Sequence, residues 1–147
     1  MGRTEIGLWV CGLLLLAASP VSTYALSPAK ALSQYSVTVW SQQQGLPQDT
    51  IRAITQTADG FLWLGTDEGL ARFDGYEFVA FGKDQGGLPS NSVNVLAAGR
   101  DGSLWIGTPN GLTRYAAGHF QTFSQKDGLP GNAVSALLVD HAGTLWI

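Results

Sequence analysis

The sequence predicts an all-β fold made of β-propeller blades, each with four antiparallel strands. Three observations lead to this prediction. One order of motifs recurs through the chain, the apolar runs are short and bounded by turn residues, and no segment keeps a helical period. A four-stranded sheet that is apolar on both faces cannot cover itself, so such sheets stack face to face around an axis. Propeller blades usually have four strands. We therefore expect a signal peptide followed by an incomplete propeller of about two and a half blades.

The repeats are visible in three kinds of residue. Gly-Leu-Pro begins at Gly45, Gly87 and Gly128, so the repeats are offset by 42 and 41 residues. The same offsets relate three tryptophans and the turn glycines that precede them: Trp63, Trp105, Trp146, Gly60, Gly102 and Gly143. We expect these six residues to be structural, because large apolar side chains and turn glycines that recur in register serve packing and chain reversal.

The second repeat shows the expected strands most clearly. Its runs of β-forming residues span 93–98, 103–107, 112–115 and 119–123. Asp59 and Asp101 each precede a glycine between the first two strands of a repeat, and Asp74 precedes a glycine in a later turn. Asp-Gly pairs suit tight turns, so we expect these carboxylates to serve turns rather than catalysis or metal binding.

The chain divides into five segments. Residues 1–25 are predicted to be a cleaved signal peptide, because the apolar run 6–18 is shorter than the roughly 20 residues of a membrane-spanning helix; an uncleaved anchor is the alternative. Then come a lead-in at 26–44 with a candidate ring-closing strand at Tyr35–Trp40, a repeat at 45–86, a repeat at 87–127 and a truncated repeat at 128–147. Because propellers have at least about four blades, we expect the amino-terminal fragment of a longer protein.

Composition excludes several classes of function. With 8 Lys and Arg against 11 Asp and Glu, the net charge is −3, so the chain has no basic field for nucleic acid. One cysteine and two histidines cannot supply a structural zinc site. We find no spacing typical of a catalytic triad or a phosphate-binding loop. The sequence therefore predicts no catalytic residue, no metal and no cofactor in this segment.

Loop positions that differ between repeats are the candidate ligand contacts, because residues that repeat build the blades. The candidates are Arg52, Asn94, Asp67, Glu68, Tyr76 and His119. Arg72 and Arg114 do repeat. We expect each of these two arginines to pair within its own blade, although an anionic ligand is the other interpretation.

The motif order resembles that of a known repeat family. It reads Gly-Leu-Pro, then Asp-Gly-x-Leu-Trp-Leu/Ile-Gly-Thr, then Gly-Leu-x-Arg-Phe/Tyr, over about Val39 to Ile147. This pattern is similar to the two-component regulator propeller repeat. The resemblance implies the extracytoplasmic sensor region of a bacterial membrane receptor, in which one or two seven-bladed propellers precede an Ig-like domain and a transmembrane helix. A cytoplasmic histidine kinase, or sometimes a diguanylate cyclase, follows.

The resemblance also implies location and partners. The chain would be exported to the periplasm, with its full-length parent in the inner membrane as a homodimer. It would sense an extracellular small molecule or oligosaccharide, or bind a protein partner. The alternatives are the same sensor on a diguanylate cyclase, a secreted propeller enzyme of the streptogramin-lyase-like type, and a structural interaction module without a small-molecule ligand.

Overall fold

The chain is all-β, as the sequence predicts, in a computed structural model that describes residues 37–85 and 87–147. The predicted signal peptide and most of the lead-in lie outside the described residues. Within them, the only helical segments are short 3-10 turns, at Gln42–Gln44, Lys83–Gln85 and Gln125–Asp127. None of the helices in this part of the chain is long and apolar enough to cross a bilayer.

Two complete sheets and part of a third follow one another along the chain. The first blade comprises β1 Ala53–Gln56, β2 Leu62–Gly65, β3 Leu70–Phe73 and β4 Phe78–Phe81. The second blade comprises β5 Val95–Ala98, β6 Leu104–Thr108, β7 Gly111–Ala116 and β8 His119–Phe123, and the third contains β9 Leu138–Val139 and β10 Leu145–Trp146. Within each sheet the strands are antiparallel and lie in chain order, as expected for propeller blades.

The first and second blades pack face to face. Alternation along the strands places Trp63 and Leu70 on one face of the first blade, and Leu104, Ile106 and Tyr115 on the facing side of the second. These side chains belong to a single hydrophobic cluster. The ring centroids of Trp63 and Tyr115 are 5.0 Å apart. Apolar burial between successive sheets, rather than within one sheet, therefore forms the core.

Backbone hydrogen bonds also join successive blades. Val93 N–H donates to the carbonyl of Thr66 at 2.8 Å, and Val134 N–H donates to the carbonyl of Thr108 at 2.9 Å. The run 93–98 was predicted as a strand, but β5 begins only at Val95. The reason is that Val93 forms its hydrogen bond with the preceding blade instead of extending the ladder of its own sheet.

The three repeated tryptophans occupy the same place in their sheets but differ in burial. Trp63 is 1% exposed, Trp105 is half-buried and Trp146 is 59% exposed. Trp63 is covered by Tyr115 of the next blade. Its burial therefore depends on the neighbouring sheet and not on its own strand.

Candidate functional site

Arg52 and Asp67 meet at one end of the first blade. Arg52 precedes β1 and Asp67 follows β2, and the antiparallel pairing of Ala53 with Gly65 brings these two strand ends together. The Arg52 guanidinium donates two hydrogen bonds to the Asp67 carboxylate, from Nε to Oδ1 and from Nη2 to Oδ2, the latter at 2.8 Å. Such a bidentate pair fixes the orientation of both side chains.

Asp67 also links the first blade to the chain segment that enters the second. Ser92 Oγ donates to Asp67 Oδ1 at 3.0 Å, and Asp67 N–H donates to Gln48 Oε1 at 3.2 Å. The hydrogen bonds from Arg52 are the main cause that lowers the pKa of the Asp67 carboxyl. Burial opposes them as the second-largest effect, and the hydrogen bond from Ser92 lowers the pKa further. Asp67 in turn raises the pKa of Arg52. The pair therefore stays charged at neutral pH while half of the Arg52 side chain is exposed (50%).

Asn94 occupies in the second blade the position that Arg52 has in the first. Its Nδ2 donates to the carbonyl of Val134 at 3.1 Å, so it reaches toward the third blade. The same loop position thus contacts its own blade in the first repeat and the segment that enters the next blade in the second. We call the end of the blades that carries Arg52, Asp67, Glu68 and Asn94 the polar end.

A groove of about 180 Å³ opens at the polar end beside Glu68. Its lining residues include Glu68, Asp84, Asn91 and Phe81. Asn91 is already engaged, because its Oδ1 accepts a hydrogen bond from Lys83 N–H at 2.7 Å. Among the described residues no group of His, Cys, Asp and Glu side chains could hold a metal ion.

The structure separates two predicted candidates from the other four. Tyr76 lies in the turn between β3 and β4 and is 87% exposed. His119 begins β8. Both positions are at the end of the blades opposite the polar end, because β3 and β7 run away from it. One ligand of modest size therefore cannot contact Tyr76 and Arg52 together.

The turn carboxylates and the repeated arginines act within their blades, as predicted. Asp59 accepts a hydrogen bond from Thr57 Oγ1 at 2.5 Å. Asp101 accepts one from Ser103 Oγ at 2.6 Å and one from Arg114 Nη2 at 2.6 Å. The Arg72 guanidinium instead lies 4.5 Å from the centre of the Phe61 ring. This placement favours a structural role for both arginines over an anion site.

Sequence reasoning missed Gln48 and Ser92 as parts of the polar end. Ser92 aligns with Ala133 of the third repeat, so its variability was visible in the sequence. Nothing in the sequence, however, indicated that its hydroxyl reaches Asp67, 25 residues away.

Successive antiparallel blades that pack face to face define this chain as a segment of a β-propeller. Residues 45–68, 87–110 and 128–147 match the family described as two component regulator propeller. These repeats therefore belong to the two-component regulator propeller family. Among proteins of curated function, none matches the sequence.

Two solved structures are similar to this chain. The extracellular domain of the hybrid two component system BT3049 from B. thetaiotaomicron is 26% identical, with a TM-score of 0.66 over 75% of this chain. The extracellular domain of the one component system BT4673 from the same organism is 16% identical, with a TM-score of 0.43 over 65% of this chain. The chain spans 16% of the length of the first structure and 22% of the second.

Proposed function

We propose that this chain is part of the extracytoplasmic sensor of a membrane-bound two-component receptor, with a histidine kinase as its output. The observation that supports this proposal most is the 26% identity, at a TM-score of 0.66, to the extracellular domain of a hybrid two component system. The proposal places the chain in the periplasm and its full-length parent in the inner membrane, as a homodimer.

We further propose that the polar end contacts the signal, which is an oligosaccharide or another polar small molecule. Arg52 offers N–H donors, and Asp67 and Glu68 offer acceptors, at one exposed edge. Hydroxyl-rich ligands need both kinds of partner within a short distance. A protein partner would use the same exposed groups.

The Arg52–Asp67–Ser92 link suggests how binding would be transmitted. Asp67 is bonded both within the first blade and to the segment that enters the second. A ligand that recruits Arg52 or Asp67 changes this link, so it binds the linked and unlinked arrangements with different affinity. Such unequal binding is what a signal requires in order to shift an equilibrium between two receptor states.

The test uses the intact receptor in membranes, with a library of oligosaccharides as probes. We expect Arg52→Ala and Asp67→Ala to reduce the ligand-dependent change in autophosphorylation at least about tenfold, the loss of one charged hydrogen-bonded contact. Arg100→Ala removes the same charge as Arg52→Ala from an exposed residue in the turn between β5 and β6, at the end of the blades opposite the polar end, and should leave the response unchanged. An equal response in all three variants would refute the site.

The same membranes distinguish the possible outputs. Transfer of the γ-phosphate of ATP to a protein histidine supports the kinase. Synthesis of cyclic di-GMP from GTP, without phosphorylation of histidine, would show that the output domain is a diguanylate cyclase. Recovery of all of the protein in the soluble periplasmic fraction would refute the receptor and favour a secreted enzyme.

A further inference from the structure

We infer that the outer edge of the first blade, strand β4, pairs with β4 of a second copy of this chain. The inference rests on the proposed function, because it assigns a contact within the proposed receptor homodimer. The two strands are antiparallel and related by a two-fold axis at Ala80, so the sheet of one copy continues into the sheet of the other.

The outer edge of β4 is open and apolar. In the described part of the chain, β4 pairs with β3 on one side and with no strand on the other. Its residues read Phe-Val-Ala-Phe, without the charge, proline or bulge that usually protects a sheet edge. Val79 is 38% exposed, and Ala80 is exposed as well. Such an edge is a template for another strand.

The phase of the β3–β4 ladder decides which backbone groups of β4 face outward. Asp74 N–H donates to the carbonyl of Glu77, so Glu77 directs its backbone groups toward β3. Consecutive residues of an antiparallel strand alternate in this respect, so Val79 also faces β3 and Ala80 faces outward. Two copies that meet at Ala80 therefore exchange both backbone hydrogen bonds of this residue around the axis.

The charges that flank β4 complement each other in this register. An axis at Ala80 places Val79 opposite Phe81 of the second copy, and Glu77 beside Lys83 of the second copy. Glu77 and Lys83 are exposed, and among the described residues neither belongs to a salt bridge. The axis generates this pair of charges twice, and opposite charges on facing strands stabilise their pairing.

The second blade lacks this complementarity at the same positions. His119 and Gln125 stand in its repeat where Glu77 and Lys83 stand in the first. The middle of β8 is Gln-Thr, where β4 has Val-Ala. The apolar edge and its matching charges therefore favour the first blade as the one that contacts a second copy.

The contact is small, so it depends on the anchoring of the receptor. A strand of four residues is only about 13 Å long, and one such pair is smaller than a standard protein interface. Two copies held in one membrane meet at a high effective concentration, which offsets a weak affinity. We therefore expect the pairing in the intact receptor and not in a dilute solution of the isolated chain.

Cysteine cross-linking of the intact receptor in membranes tests the pairing. Ala80→Cys places a thiol at the axis, where paired Cα atoms lie about 5.5 Å apart, a distance that a disulfide spans. Under mild oxidation we expect a product of dimer size, formed at least about tenfold faster than with the control Thr122→Cys. Thr122 is the exposed residue at the same position of β8. Equal rates for the two variants, no product, or a product with a different protein would overturn the inference.

Charge reversal tests the register. In the Ala80→Cys background, Glu77→Lys brings two pairs of like charges together, so we expect cross-linking to slow at least about threefold. Addition of Lys83→Glu should restore the rate, which a variant that merely misfolds would not show. A double variant as slow as the single one would contradict the pairing.

The size and the autophosphorylation of the receptor keep this result separate from the proposed function. A dimeric kinase that gives no Ala80→Cys product refutes the pairing of β4 alone. A receptor that is monomeric in the membrane refutes both this pairing and the proposed homodimer.

Discussion

At the scale of single residues, two glycines decide how closely the blades approach. A Cβ atom on Gly65 would lie 2.5 Å from Val93 Cγ1, and one on Gly107 would lie 2.7 Å from Val134 Cγ1. Val93 and Val134 are the residues whose N–H groups bond to the preceding blade. The glycine of Leu-Trp-Leu/Ile-Gly-Thr therefore recurs because a larger residue would push the next blade away.

We predict that Gly65→Ala lowers the free energy of unfolding by about 1–3 kcal/mol, the usual cost of overpacking. Urea denaturation of the variant measures it. The control is Gly131→Ala, since no atom lies within 4 Å of the added Cβ. A loss for Gly65→Ala no larger than that of the control would contradict the close-approach argument.

The turn carboxylate is a second residue-scale feature, and it differs between repeats. In the second blade Asp101 accepts hydrogen bonds from Ser103, and these bonds, followed by the one from Arg114, hold its pKa well below the usual value of 3.8. In the third blade the residue aligned with Asp101 is Ala142, and Asp140 accepts from Ala142 and Thr144 N–H instead. The turn of the third blade therefore still has a carboxylate that accepts hydrogen bonds from its N–H groups, although this carboxylate lies two positions earlier in the repeat.

We predict that Asp101→Asn makes the protein less sensitive to acid. A depressed folded pKa contributes stability above the unfolded value, about 3.9, and this contribution is lost as the pH falls toward the folded pKa. The destabilisation by Asp101→Asn should therefore be largest above about pH 4 and shrink below it. Urea unfolding between pH 2 and 7 tests the trend.

Ser103→Ala tests whether the Ser103 hydroxyl lowers the pKa of Asp101. It removes the hydroxyl that donates to Asp101, so the pKa of Asp101 should rise in an NMR titration. An unchanged pKa would show that Ser103 is not responsible.

At the scale of elements, the turn between β2 and β3 is held by one threonine. Thr66 is fully buried, and its Oγ1 donates to the carbonyl of Gly69 at 2.8 Å and accepts from Glu68 N–H at 3.1 Å. Thr108 does the same for Gly111 and Asn110 in the second blade. The threonine of the repeated motif thus shapes the turn that carries Asp67 and Glu68 at the polar end.

We predict that Thr66→Val destabilises the protein by about 1–3 kcal/mol, because a nearly isosteric side chain removes two hydrogen bonds. Glu68 N–H loses its acceptor, and the Gly69 carbonyl keeps only the bond from Thr66 N–H. Thr66→Ser retains the hydroxyl and should lose clearly less. Thermal unfolding of both variants measures the difference. If serine were as damaging as valine, the methyl group and not the hydroxyl would be the important part.

At the scale of the whole molecule, each blade depends on the next for the burial of its tryptophan. Trp63 is covered by Tyr115, whereas Trp146 stays 59% exposed although its strand β10 carries the same motif. The indole N–H groups of these two tryptophans both find partners in their own blades, since Trp63 Nε1 donates to Thr57 and Trp146 Nε1 donates to Asp140. Hydrogen bonding is thus local, while burial is supplied by neighbours.

We predict that Trp63→Ala costs this chain about 3–5 kcal/mol, typical of a large buried aromatic side chain. Trp146→Ala should cost clearly less, because more than half of its surface stays in water. Urea unfolding of the two variants gives the comparison. Similar losses at both positions would contradict stabilisation by stacking of successive blades.

The sequence alone determined the repeat, the all-β class and the places of the turns, because these depend on local chemistry. Alternating apolar residues and Asp-Gly pairs express strand and turn preferences within a few residues of themselves. The bounds of β8, His119–Phe123, agree with the predicted run 119–123. β5 was predicted two residues too early, because the hydrogen bond of Val93 to Thr66 is a contact between blades.

Tertiary structure decided which candidate residues share a site and which tryptophans are buried. Arg52, Asp67 and Ser92 lie apart in the sequence, and only the antiparallel pairing of β1 with β2 and the packing of successive blades bring them together. The antiparallel pairing of β2 with β3 places Tyr76 at the other end. Each repeat specifies the same four-stranded sheet through its local strand and turn preferences. The contacts between sheets depend on how successive sheets pack, which the residues of one repeat do not determine alone.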